Sequence, residues 1–197
     1  MRQPDPPHIS LSSGQTAVIG YGSLMSRASL ERTLKRPYEG PFAPCHVEGW
    51  RRTWDISMPN KVYYFSENGT KVYPERIAYL DVRPSPGRRM NAVIFVLDNA
   101  DLAAMHAREW IYEPVAVTDR VRDVTIAGGD ALMYVGLPEH RVQDATRREA
   151  TAIRASYLRI LDNALARADA TFREEYQATT EPVPAHLVIE DALDTSS

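Results

Sequence analysis

The chain has one cysteine, Cys45, in 197 residues. No internal disulfide can form, a cysteine-rich zinc site is excluded, and a reducing compartment is favoured. No run approaches the roughly 18 consecutive apolar residues of a membrane-spanning helix. The opening residues, Met1-Arg2-Gln3-Pro4-Asp5-Pro6-Pro7, lack the apolar core of a secretory signal. A cytoplasmic location is therefore expected. Charge of one sign is also missing: 23 basic residues against 26 acidic ones give a net charge of -3. The best basic run, Gly49-Trp50-Arg51-Arg52, is too short to suggest a nucleic-acid or membrane surface. There is no internal repeat and no linker that would divide the chain.

What is present reads as one domain. Apolar residues make up 44% of the chain, enough for a sizeable core without a staple. Residues 1–15 are rich in proline and serine and are expected to form a mobile arm. Ala17-Val18-Ile19-Gly20-Tyr21 reads as a buried strand that Gly22 ends. Ser26 can cap a short helix from Arg27 to Leu34, stopped before Pro37. Val47 to Met58 fits either period, and its flanking prolines favour a strand. Asn68-Gly69 between aromatic runs signals a hairpin within 61–76. Strands follow at Arg76–Arg83 and Asn91–Leu97, joined by a Pro-Ser-Pro-Gly turn. A helix from Asn99 to Arg108, capped by Asp98 or Asn99, comes next. Strands are expected at Tyr112–Val121 and Ala131–Gly136, with a turn at Ala127-Gly128-Gly129-Asp130.

The apolar spacing of Ile153, Tyr157, Ile160, Leu161, Leu165, Ala168 and Phe172 predicts a packing helix, broken near 168–170. A tail over 181–197 runs on the surface. Clustered strands with few helices indicate an α+β fold around a mostly antiparallel sheet or barrel.

Three segments carry candidate chemistry. Gly20-Tyr21-Gly22-Ser23-Leu24-Met25 leaves a strand and enters a helix, where free backbone N–H groups can meet an anion. It lacks the third glycine of a dinucleotide loop and the order of a nucleophile elbow. Taken alone it is as well explained as a turn required by geometry. Cys45 is followed by His46, but adjacent strand residues point to opposite faces, which favours a small buried hydrophobe over a nucleophile. His106 and Glu109 could share a helical face. The other histidines, at 8, 46, 140 and 186, are too scattered to complete a metal site. Glu109 sits at a helix end before Trp110 and Ile111, and burial there would raise its pKa. Read locally, a solvated helix-end glutamate is the simpler account. Glu113 precedes Pro114, which argues for an exposed edge.

Three features in order change that balance. A Tyr-Gly-Ser-Leu segment leaves the first strand. Arg108-Glu109 ends a helix before Tyr112 and a Val115-Ala-Val117 strand. A strand ending in an aromatic follows, Ala131-Leu132-Met133-Tyr134-Val135. Together they resemble the γ-glutamylcyclotransferase family. Gly49-Trp50-Arg51-Arg52-Thr53-Trp54 is similar to the family's second strand, and Ala155-Ser156-Tyr157-Leu158-Arg159-Ile160 to its C-terminal helix. The resemblance covers about Thr16 to Thr180, hence a domain at 16–180. Where members usually carry a glycine soon after the glutamate, this chain has Trp110 and Ile111. The aromatic stretch 61–76 looks like an insertion that would form part of a substrate wall.

The resemblance implies a small, mostly antiparallel β-barrel with flanking helices and a pocket at one side. It implies that Tyr21, Gly22, Ser23 and Leu24 cradle a γ-glutamyl group, that Glu109 is the acid/base, and that Tyr134 and Tyr112 line the pocket. It implies a small-molecule γ-glutamyl substrate cyclised to 5-oxoproline, with no metal or organic cofactor. Two other readings stay open: a non-catalytic module binding a small ligand or a protein, and an amide hydrolase using Cys45 or Ser23. The leaving amine and the oligomeric state are not legible.

Overall fold

The computed structural model describes residues 6–142 and 150–195. Its first half runs β1 (His8–Ser10), β2 (Gln15–Gly20), a 3₁₀ turn (Ser23–Met25), α1 (Arg27–Leu34), β3 (Phe42–Pro59), β4 (Tyr63–Glu67), β5 (Thr70–Val72) and β6 (Arg76–Asp98). There follow α2 (Asn99–Arg108), β7 (Tyr112–Ala116), β8 (Val121–Arg122), β9 (Thr125–Ala127) and β10 (Ala131–Gly136). The last part holds β11 (Thr151–Arg154), α3 (Ala155–Leu165), α4 (Ala170–Ala178), β12 (Val188–Ile189) and β13 (Ala192–Leu193).

The frame is an α+β sheet curled into a half-barrel with helices against it. Its long members are β3 and β6, paired antiparallel from Phe42↔Phe95 to Pro59↔Arg76. On its other edge β6 pairs antiparallel with β2 and parallel with β11. β10 then lies parallel to β2 and antiparallel to β7. One contiguous hydrophobic core packs against this sheet. Ile19, Leu80, Ile94, Phe95, Met105 and Met133 are all within 1% of full burial. Such packing supplies most of the driving force, at roughly 25 cal/mol per Å² of apolar surface removed from water.

Local signals account for several elements. The Ser26 hydroxyl accepts from the Ser29 amide, and the Asp98 carboxylate accepts from the Asp101 amide, so both helix starts are capped by their own side chains. Asn68 and Gly69 take φ of 50° and 81°, the left-handed pair of a two-residue hairpin turn, between β4 and β5.

Other expectations are corrected. The Pro-Ser-Pro-Gly stretch is no turn between two strands. β6 runs through it, and Ser85 to Arg88 bulge out opposite Gly49 while pairing with β3 resumes on both sides. The bulge is exposed, so the proline's missing N–H costs no buried bond. Tyr112–Val121 is divided by a 3₁₀ turn at Thr118–Arg120. Ile153 belongs to β11, so the packing helix begins at Ala155; the break expected at 168–170 is present, and a second helix begins at Ala170, capped by Asp169.

Neither flanking segment is merely draped on the surface. β1 pairs with β9 and buries Ile9 to 4% exposure. β12 pairs with β11, and β13 with β4. No helix of the described residues is long and apolar enough to cross a membrane.

Candidate active site

A cavity of about 710 Å³ opens where the β2–α1 connection meets the end of α2, the start of β7 and α3. Tyr21, Gly22, Ser23, Leu24, Glu109, Tyr112 and Tyr134 all line it. Residues more than a hundred positions apart in sequence are thus brought to one wall. Cys45 and His46 are not among the lining residues.

The glycine loop has little freedom. A Cβ at Gly20 would lie 2.8 Å from the Leu24 carbonyl oxygen, closer than real side chains come. Glycine lets the chain fold back sharply there and enter the 3₁₀ turn. Arg52 fixes the loop from behind. It is fully buried and donates to the Tyr21 carbonyl at 3.1 Å, to Asn91 Oδ1 at 3.1 Å and to Thr179 Oγ1 at 2.9 Å. Its guanidinium lies 4.0 Å from the centre of the Tyr176 ring. Burial lowers its pKa to about 10, which still leaves it charged near neutrality.

Glu109 is the C-cap of α2. Its amide closes the helix on the Met105 carbonyl at 2.9 Å, and its own carbonyl accepts from Tyr112 N at 2.8 Å. The side chain is 14% exposed, with Oε1 3.0 Å from Arg108 Nε. Burial raises its pKa and Arg108 opposes the rise. A carboxyl so placed can hold or release a proton at higher pH than a solvated glutamate.

The tyrosines divide by what their hydroxyls do. Tyr21 donates to the Tyr134 carbonyl at 2.8 Å, and Tyr112 donates to the Leu80 carbonyl at 2.9 Å. Both hydroxyls are committed to the backbone, so these two offer the cavity their rings. The Tyr134 hydroxyl bonds His106 Nδ1 at 2.8 Å. Burial pushes the Tyr21, Tyr112 and Tyr134 phenols above their usual range, so all three are neutral.

Among the described residues neither nucleophile of the hydrolase reading has a base beside it. The Cys45 thiol is 1% exposed, and burial raises its pKa to about 12. His46 points instead to Asp123 and Glu175. Ser23 Oγ accepts from Arg108 at 2.8 Å, a group that cannot take up a proton. Among the described residues no group of three His, Cys, Asp or Glu is placed to hold a metal ion.

Several cavity groups carried no expected role, two arginines among them. One is Arg108, which touches Glu109, Ser23, Ser29 and Thr33. The other is Arg154, on the wall with Tyr79 and Tyr157. Its guanidinium is 3.9 Å from the Tyr63 ring centre and 3.6 Å from Asp191 Oδ2. The hairpin 61–76, expected in the substrate wall, supplies no lining residue; it backs Arg154 through Tyr63. Trp110 stands at the rim, 52% exposed, its ring edge-on to His140 at 5.0 Å.

No protein-family model matches the chain, and no curated protein matches it in sequence. Solved structures do match. One is a γ-glutamyl cyclotransferase, with a TM-score of 0.56 and 12% identity over 86% of this chain and 90% of that one. An uncharacterised human protein matches with a TM-score of 0.56 and 13% identity over 87% and 91% of the two chains. YkqA from Bacillus subtilis matches with a TM-score of 0.56 and 15% identity over 87% of this chain but only 56% of YkqA. At such identities the likeness is one of fold, and the chain has the γ-glutamyl cyclotransferase-like fold.

Proposed function

We propose that the protein is a γ-glutamyl cyclotransferase that releases 5-oxoproline and a free amine from a γ-glutamyl amide, with Glu109 as acid/base. One observation carries this reading above the rest. A largely buried carboxyl with a raised pKa faces the same cavity as a glycine loop, and no nucleophile–base pair accompanies it among the described residues.

The reaction asks for that combination. The substrate's α-amine attacks its own γ-carbonyl carbon, a five-membered ring closes, and the bond to the leaving nitrogen breaks. The nucleophile belongs to the substrate, so the protein must fold the substrate over and move protons. Orientation of an intramolecular attack can be worth roughly 7–11 kcal/mol. Tyr21, Gly22, Ser23 and Leu24 hold the γ-glutamyl head group, while Tyr112 and Tyr134 pack beside it. Glu109 takes a proton from the α-ammonium and returns one to the leaving nitrogen. An ordinary glutamate lies nearly four pK units, or about 5 kcal/mol, below an α-amine, and burial of Glu109 narrows that gap. The leaving amine extends toward Tyr79 and Arg154, where a cation favours a leaving group that carries a carboxylate.

The test is product analysis by mass spectrometry on a panel of γ-glutamyl compounds, beside Glu109→Gln. Wild type should release 5-oxoproline, and the variant should bind without turnover. Free glutamate as the product would establish a hydrolase, and binding without turnover by wild type would establish a binding module.

A further inference from the structure

We propose that Arg108 is the positioning residue that locks the acid/base and the glycine loop into one register and sets Ser23 as a hydrogen-bond donor toward the substrate. This rests on the cyclotransferase reading and adds a residue to it.

Arg108 is the last residue of α2, so its side chain leaves the helix beside Glu109 and reaches back across the cavity floor to α1. Each nitrogen of its guanidinium is engaged. Nε lies 3.0 Å from Glu109 Oε1. One terminal nitrogen donates to Thr33 Oγ1 at 2.6 Å and to the Ser29 carbonyl at 3.1 Å. The other donates to Ser23 Oγ at 2.8 Å and to Ser29 Oγ at 3.1 Å. One planar group therefore ties the carboxyl at the end of α2 to the loop and to α1, which are themselves joined by the Ser26 amide donating to the Ser23 carbonyl.

The chemistry of the fork gives each contact a direction. A guanidinium only donates. Ser23 Oγ must accept from it, and that leaves the serine's own proton for a group in the cavity. Seated among the loop residues, that group is the substrate's carboxylate or the oxygen that gains charge as the ring closes. Contact at Oε1 likewise leaves Glu109 Oε2 for the substrate's nitrogen.

Tuning of acid strength does not explain the arginine, because its charge works against the rise that burial gives Glu109. The other groups whose charge is felt with Glu109 are the phenols of Tyr21, Tyr112, Tyr134 and Tyr157, all neutral, with His106 hydrogen-bonded to Tyr134. Arg108 is thus the charge that removal would take from the carboxyl's surroundings.

The experiment measures 5-oxoproline release from the consumed panel member, with γ-glutamylalanine as the first probe. It compares wild type, Arg108→Lys, Arg108→Met, Ser23→Ala and the Met/Ala double variant, each with its melting temperature. Misplacement on the scale of an ångström can cost about a hundredfold. A fall of that order in kcat is expected for both arginine variants. Arg108→Lys should keep the acid limb of the pH profile, and Arg108→Met should move it to higher pH. The double variant should be no slower than Arg108→Met alone, because Ser23 contributes only when the arginine orients its hydroxyl.

A purely structural arginine would lower the melting temperature, yet leave kcat per folded molecule and the acid limb unchanged. That result, or losses in Arg108→Met and Ser23→Ala that multiply, overturns the proposal. Should Arg108→Met fail to fold, Arg108→Lys and Ser23→Ala still decide it. Wild type that yields no 5-oxoproline from any panel member overturns the cyclotransferase reading and this proposal together.

Discussion

Two regions of the molecule each bury a carboxyl, and burial raises the pKa in both. In the first part of β6, Asp81 is wholly inaccessible, accepts from the Gly136 amide at 2.7 Å and lies 3.4 Å from Arg83. At the end of α2, Glu109 keeps some exposure, is held by one arginine and lines a cavity. Asp81 lines none of that cavity. Desolvation is the leading cause in both, so a perturbed pKa does not by itself separate a working acid from a structural one. Access separates them. Asp81 Oδ1 fastens β10 to β6 and its Oδ2, without a hydrogen-bond donor, is sealed in the core, whereas Glu109 faces the cavity.

The sharpest way to break the comparison is to neutralise each carboxyl. Glu109→Gln should lower turnover by about 10²–10⁴ while substrate still binds, as calorimetry beside a product assay would record. Asp81→Ala should do the reverse. It leaves the Gly136 amide unpaired in the core, and urea unfolding should show a loss of about 2–3 kcal/mol with KM unchanged. Activity lost by Asp81→Ala in a fully folded protein would undo the contrast.

A smaller effect is expected at the far wall. Arg154→Met should raise KM about tenfold for a γ-glutamyl amino acid and leave a γ-glutamyl alkylamine unaffected. Equal effects on both would assign Arg154 to packing.

The smallest effect concerns stability and pH. The folded-state pKa of Glu109 is raised, so the folded protein holds this proton more tightly than the unfolded chain does. Its contribution is fully present below the unfolded value of about 4.3 and is lost as pH rises through the folded pKa. Glu109→Gln avoids that loss. Its melting temperature should exceed that of wild type near neutrality and match it below the ordinary carboxylate range.

Much of this was legible because it is local. Ser26 and Asp98 cap their helices from adjacent positions, Asn68-Gly69 makes its own turn, and the loop after β2 carries its glycines in sequence. What was hidden depends on distant partners. The bulge at 85–88 follows from where β3 resumes pairing, which proline and glycine content cannot reveal. Arg51 is exposed and Arg52 fully buried, although nothing in the Arg-Arg pair says which faces inward. Arg108 meets Ser23 across 85 residues, a contact that no periodicity encodes. The Tyr21 and Tyr112 hydroxyls turn to backbone carbonyls, a choice made only once the sheet has formed.

The central claim is that a buried carboxyl facing the cavity carries the proton through ring closure. The pH dependence of kcat/KM for 5-oxoproline release tests it most directly. Rate should rise through an acid limb displaced above the usual glutamate value and fall as the substrate's ammonium deprotonates near pH ~8. An acid limb at the unperturbed carboxylate value, or the same profile at full rate in Glu109→Gln, would contradict it.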